Sequence, residues 1–149
     1  MSADLHQANR LGGIISLIAL GLCILIFVFR LSGLPSIERW LGVLFMATAI
    51  PFTYLLITAK AHQRPGIFYI QISAILLYIL IELFLDYIFN IDFRNVKWMT
   101  VLYVSIFFAG TGGLIGIASL SGKSWGAVAI VLFLIMTFLA FWQRAKTGM

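Results

Sequence analysis

Residues 67–89 read IFYIQISAILLYILIELFLDYIF, and Glu82 and Asp86 are the only charged side chains in that stretch. A helix rises ~1.5 Å per residue, so about 20 residues cross the ~30 Å hydrocarbon layer of a bilayer. The stretch is long enough to do so. Four further apolar runs match it, at Leu11–Phe29, Trp40–Ala59, Met99–Ser119 and Trp125–Trp142. In lipid every backbone N–H and C=O must be paired within the protein, which leaves helices or a closed barrel. Barrel strands alternate polar and apolar side chains in segments of about ten. These runs are continuously apolar for twice that length, and they predict an all-α bundle of five transmembrane helices.

The composition agrees. The chain has 149 residues, 62% hydrophobic and 10% charged, with a mean hydropathy of +1.09. A soluble domain is about half apolar and about a quarter charged, so this chain has too little polar surface to cover itself in water. A cytosolic enzyme domain, a disordered tail and a disulfide-stapled secreted module are excluded. Ten Lys and Arg outweigh five Asp and Glu, giving +5. The bases are scattered singly and in pairs between apolar runs, without the cluster that tracks a phosphate backbone. Nucleic acid is therefore not an expected partner. The lipid bilayer is, because each base near an anionic surface gains about 1 kcal/mol.

The separators are short and polar. Ser32-Gly33-Leu34-Pro35 reads as a turn, with Pro35 suited to the first position of the next helix and Glu38 near its positive end. Residues 60–66, 90–98 and 121–124 supply the other three. Connections this short make sequential helices antiparallel neighbours, and residues 1–149 read as a single membrane domain with no internal repeat. The first ten residues are too polar and too short for a signal peptide, so the first span is expected to remain as an anchor. Trp40, Trp98, Trp125 and Trp142 all fall at or beside a span end, where an indole finds both an apolar layer and water.

Five spans put the termini on opposite sides. The N-terminal side carries Arg10, Lys60, Arg64 and Lys123. The C-terminal side carries Arg30, Arg39, Arg94, Lys97, Arg144 and Lys146. Six against four places the C-terminus in the cytoplasm by the positive-inside rule, in a bacterial inner membrane or its equivalent.

The third span carries the chemistry. Gln71, Tyr78, Glu82, Asp86 and Asn90 recur at spacings of seven, four, four and four, which on a helix draws one slowly drifting stripe. Glu82 lies about one turn beyond the middle of the span, and Asp86 a turn further toward the C-terminal side. A charge at such depth costs about 2.5–3.5 kcal/mol or more unless it is paired, protonated or hydrated, so the stripe should face the bundle interior or a wet recess. Two readings compete. Glu82 and Asp86 are acceptors for a proton, cation or cationic substrate, with Tyr78 and Gln71 lining its path. Alternatively they form ion pairs at the membrane edge, where Arg30, Arg39, Arg94 and Lys97 can snorkel toward Asp86. Fewer bases reach the depth of Glu82 than that of Asp86.

The fourth span contains Ala109-Gly110-Thr111-Gly112-Gly113-Leu114-Ile115-Gly116. Gly112, Gly113 and Gly116 are helix-packing candidates, because small residues let two helix backbones approach. The neighbour is either another span of this chain, as in any tight bundle, or the fourth span of a second copy in a homodimer. A third reading is a broken helix lining a cavity. No Lys follows at the spacing of a phosphate loop. Gly12, Ser16, Ala19 and Cys23 form a small face on the first span. Pro51 should kink the second near its middle, since it removes one helix hydrogen bond. The fifth is apolar all round and is expected to be the most lipid-exposed.

Cys23 is the only cysteine and lies in an apolar run. His6 and His62 are the only histidines, and neither has a second ligand at helical spacing. No metal and no cofactor is implied. An enzyme fits poorly: both carboxyls lie on one helix, and no His–Ser or Cys–His arrangement falls within the spans. The reading is an ion- or small-solute-handling carrier or channel. The alternative is an accessory or scaffold protein that binds lipid or a larger membrane complex.

Overall fold

The computed structural model describes residues 3–147, and every regular element in them is helical. Five helical units are long and apolar enough to cross a membrane: Ala3–Leu31, Pro35–Thr58, Gly66–Ile88, Lys97–Ser119 and Lys123–Thr147. The expected five-helix bundle is observed, and each unit contains or closely overlaps its predicted run. The helices extend past the apolar cores into polar ends, as α1 (Ala3–Leu31) does with Asp4 in its first turn and Arg30 in its last. Both charges oppose the helix dipole at those ends.

Local chemistry explains the boundaries. At the end of α1, Gly33 adopts φ +71°, a left-handed conformation glycine enters without a Cβ penalty. The Leu34 amide then donates to the Phe29 carbonyl at 3.1 Å, and the Gly33 amide to the Arg30 carbonyl at 3.2 Å. This is a Schellman cap, which satisfies carbonyls the helix end would orphan. Pro35 opens α2 (Pro35–Ala47) at its first turn.

The second span is broken. A turn at Thr48 separates α2 from α3 (Ala49–Thr58). Pro51 has no N–H to offer the Ala47 carbonyl one turn back. The Thr48 hydroxyl donates instead to the Phe45 carbonyl at 2.5 Å. The kink expected from Pro51 thus falls one turn before it.

The third span also departs from a plain helix. Residues Gly66–Glu82 form α4, and Leu83–Ile88 continue as a π-helix. The bond from the Phe89 amide to the Phe84 carbonyl, 2.9 Å, spans five residues rather than four. A 3-10 turn at Phe93–Asn95 then leads into α5 (Lys97–Ser119), and α6 (Lys123–Thr147) completes the bundle.

Consecutive spans pack side by side, α6 returns to α1, and α1 also packs on α5 across the bundle. The most extensive interface joins α4 to α5, and glycine makes it close. A Cβ on Gly110 would lie 3.1 Å from both the Ala74 carbonyl oxygen and the Ile75 Cα; one on Gly113 would lie 3.3 Å from the Gln71 Cα. The Gly12, Ser16, Ala19 and Cys23 face of α1 is buried against its neighbours. The outer surface is apolar, with Ile50, Ile57, Val101 and Leu134 well exposed. Fewest residues are buried in the fifth span. Trp40, Trp98 and Trp142 stand exposed at the span ends. These five apolar helices fit an integral multi-pass membrane protein whose outer faces are compatible with lipid.

Candidate functional site

Glu82 closes the α-helical part of the third span. Its side chain turns toward α5, where the Tyr103 hydroxyl donates to Oε2. The Tyr78 hydroxyl, one turn back on α4, donates to the same oxygen at 3.3 Å. The two hydroxyls are 3.0 Å apart. Tyr78 is buried, and its ring meets those of Phe45, Tyr103 and Phe107 at centroid distances of 5.9, 5.6 and 5.1 Å. Packing therefore fixes both hydroxyls. Both converge on Oε2, and Oε1 has no hydrogen-bond donor among the described residues.

Asp86 is held differently. The Arg94 guanidinium grips it with a fork of two bonds, Nη1 to Oδ1 at 3.3 Å and Nη2 to Oδ2 at 2.9 Å. The loop is built for this. Phe93 is buried and packs its ring 4.7 Å from that of Tyr103, and the Thr100 hydroxyl donates to the Arg94 carbonyl at 3.2 Å. Burial works against the charge on Arg94, but the Asp86 carboxylate more than offsets it and holds the guanidinium above its ordinary range. A second ion pair crosses the first turn, Arg30 to Glu38.

The π-helix sets these two fates apart. In an α-helix, positions four apart share a face. With i→i+5 bonding from Leu83 onward, Asp86 is set back around the axis relative to Glu82 and meets the loop arginine. Such segments recur at functional sites.

Two cavities meet at Glu82. One, of about 150 Å³, lies between the spans; eight aromatic rings line it, and so does Gln143 of α6. The other, of about 350 Å³, lies beside it and is lined by Arg39, Asp86 and Tyr87 among others. Glu82, Arg30, Ile26 and Gly42 line both. Gly42 leaves the space into which the Tyr87 hydroxyl projects, and that hydroxyl donates to the Arg39 carbonyl at 3.2 Å.

Of the stripe, the structure brings Tyr78 and Glu82 together, while Asp86 reaches only the second cavity and Asn90 is exposed at the turn. Gln71 lines neither cavity; it packs on the glycine face, against Gly113 and Gly116. Gly112 faces Phe133 of α6 at ordinary contact distance. The helix-packing glycines thus meet neighbours within the chain. Sequence reasoning missed Tyr103 and Gln143. Tyr103 could have been found from the Thr100, Tyr103, Phe107, Gly110 succession at spacings of three, four and three, a helical face in itself. Gln143 gives no such signal, since it follows Trp142 and precedes Arg144 in what reads as a polar end.

Among the described residues, no group of three or more His, Cys, Asp or Glu side chains is placed to hold a metal ion. The fold and site define a five-span membrane protein with a tyrosine-held carboxyl inside its bundle. No family model matches the chain, and neither does any curated protein or solved structure.

Proposed function

We propose that this chain handles an ion or small solute within the membrane, with the Glu82 carboxyl as the binding group. One observation carries the reading: Glu82 lies where the two cavities meet, and neutral hydroxyls rather than a guanidinium hold it. A carboxyl used only for structure at that depth is costly, and the chain shows the cheaper solution nearby, where Asp86 and Glu38 each take an arginine. Glu82 keeps one oxygen, Oε1, without a donor among the described residues. Tyr78 and Tyr103 orient the carboxyl and disperse its charge. The basic residues at the same end of the bundle support a cytoplasmic C-terminus, so the cavities would open toward the cytoplasm.

The test is flux. The protein is reconstituted in liposomes loaded with a pH-sensitive dye, and a pH gradient is imposed. Glu82→Gln keeps the shape and both hydroxyl contacts but removes the ionisable group. It should lower the pH-driven signal by about tenfold or more, the scale of a charge-assisted interaction, with the melting temperature little changed. Equal flux in Glu82→Gln and the parent sinks the proposal and leaves the accessory or scaffold role.

A further inference from the structure

Gln143 is buried, 6% exposed, yet its side-chain Oε1 has no hydrogen-bond partner. Its Nε2 has none either among the described residues. A buried carbonyl oxygen left unpaired costs stability, and natural cores rarely keep one without cause. This one belongs to a residue that lines the aromatic cavity, as Glu82 does. The cavity therefore holds two polar groups with unused capacity: the Glu82 Oε1, an acceptor, and the Gln143 amide, whose oxygen and nitrogen exchange places by a half-turn about the terminal bond.

Most of the remaining surface is apolar. Phe45, Tyr78, Phe107, Phe108 and Phe141 present rings to the space. Phe27 and Phe93 line it too, but each already has an arginine over its face, Arg30 at 5.9 Å and Arg94 at 4.9 Å. A cavity of about 150 Å³ is the size at which an engineered apolar void accepts benzene. It fits one ring.

Charge selects the polar end. Of the three arginines at the wall, Arg30 is paired with Glu38 and Arg94 with Asp86. Arg144 is exposed at the rim, where its head group stays in water. The charge without a counter-ion inside is that of Glu82. Aromatic faces add attraction for a cation, and a primary ammonium brings three donors to two waiting acceptors.

We infer that the aromatic cavity between the five spans binds a ring-sized organic ammonium, its amine held by Glu82 and Gln143 and its apolar body by the phenylalanines. This rests on Glu82 being a binding group, and it names the ligand class.

The probe is 2-phenylethylamine, titrated by calorimetry into the full chain in lipid nanodiscs at neutral pH. The comparators are 2-phenylethanol and 3-phenylpropanoate, which keep the ring and change the head. The amine should bind at least about tenfold tighter than the alcohol, and the carboxylate should not bind. Glu82→Gln should abolish the preference for the amine. Gln143→Leu should weaken the amine several-fold while leaving the melting temperature equal or higher, because an unpaired amide has been removed. A purely structural Gln143 would lower the melting temperature and leave the affinity alone. Equal or tighter binding of the alcohol or carboxylate overturns the ammonium assignment. So does amine binding that survives both substitutions, or the absence of binding by all three compounds. The liposome flux of Glu82→Gln is read separately, so a wrong ligand class and a wrong role for Glu82 give different results.

Discussion

Two carboxyls on one helix meet different ends here. Asp86 finds an arginine fork and Glu82 finds two phenols, and the difference is one turn of depth combined with a change of helix type. The Tyr103 hydroxyl is the stronger of the two phenol contacts, since the Tyr78 bond is long at 3.3 Å. Tyr103→Phe should therefore cost about 1–3 kcal/mol, the range for leaving a poorly solvated acceptor short of a donor. Tyr78→Phe should cost less, because Tyr103 still serves Oε2. Thermal unfolding of the two variants in detergent gives the order; a larger loss for Tyr78→Phe contradicts it. Glu82 and Tyr78 were visible in the sequence as an acid and a phenol four apart in an apolar run. Tyr103 follows Glu82 by 21 residues, and no periodicity within a single helix joins the two.

Glycines of one motif do unlike work at the level of the element. Gly110, Gly112, Gly113 and Gly116 lie within two turns of one helix, but they point to different neighbours. Gly110 lies against the backbone of α4, with 3.1 Å between its would-be Cβ and the Ala74 oxygen. Backbone cannot rotate away, so Gly110→Ala forces α4 and α5 apart and should cost about 1–3 kcal/mol. Gly112→Ala meets only the edge of the Phe133 ring, at 3.8 Å, and should be near neutral. Gly21 has nothing within 4 Å, and Gly21→Ala gains helix propensity of up to about 1 kcal/mol. Chemical or thermal unfolding in one detergent ranks the three; a Gly112→Ala loss matching Gly110→Ala refutes the assignment of faces. The Pro51 break was legible because the missing N–H is written in the residue itself. The π-helix at Leu83–Ile88 was not, for its residues have no such lesion and settle into that register against Gly42, Arg39 and the Phe93 loop.

For the whole molecule, the bundle of five helices places both cavities in the half nearer the C-terminus, where α1, α4 and α6 end and α2 and α5 begin. The loop at Lys60–Pro65 lies on the other side. Single cysteines at Lys60 and at Asn95 should react with a membrane-impermeant maleimide from opposite faces of oriented vesicles. The native Cys23 is buried and should stay silent. Labelling of both sites from one face contradicts the five-span topology.

The amino-acid sequence alone determined that the chain forms five helices long and apolar enough to cross a membrane, the stretch at the centre of each, and that the second is interrupted near Pro51. A bilayer imposes those demands locally: length, apolarity and backbone pairing are properties of one continuous stretch. The tertiary structure alone decided that Tyr103 meets Glu82, that Arg94 clasps Asp86, that Gly110 and Gly113 pack on α4 while Gly112 faces α6, and that the Gln143 side-chain oxygen is buried without a partner. Those pairings depend on how far each helix is rotated and shifted against its neighbours. That rotation is set by the fit of side chains from several spans at once, so no single span contains it.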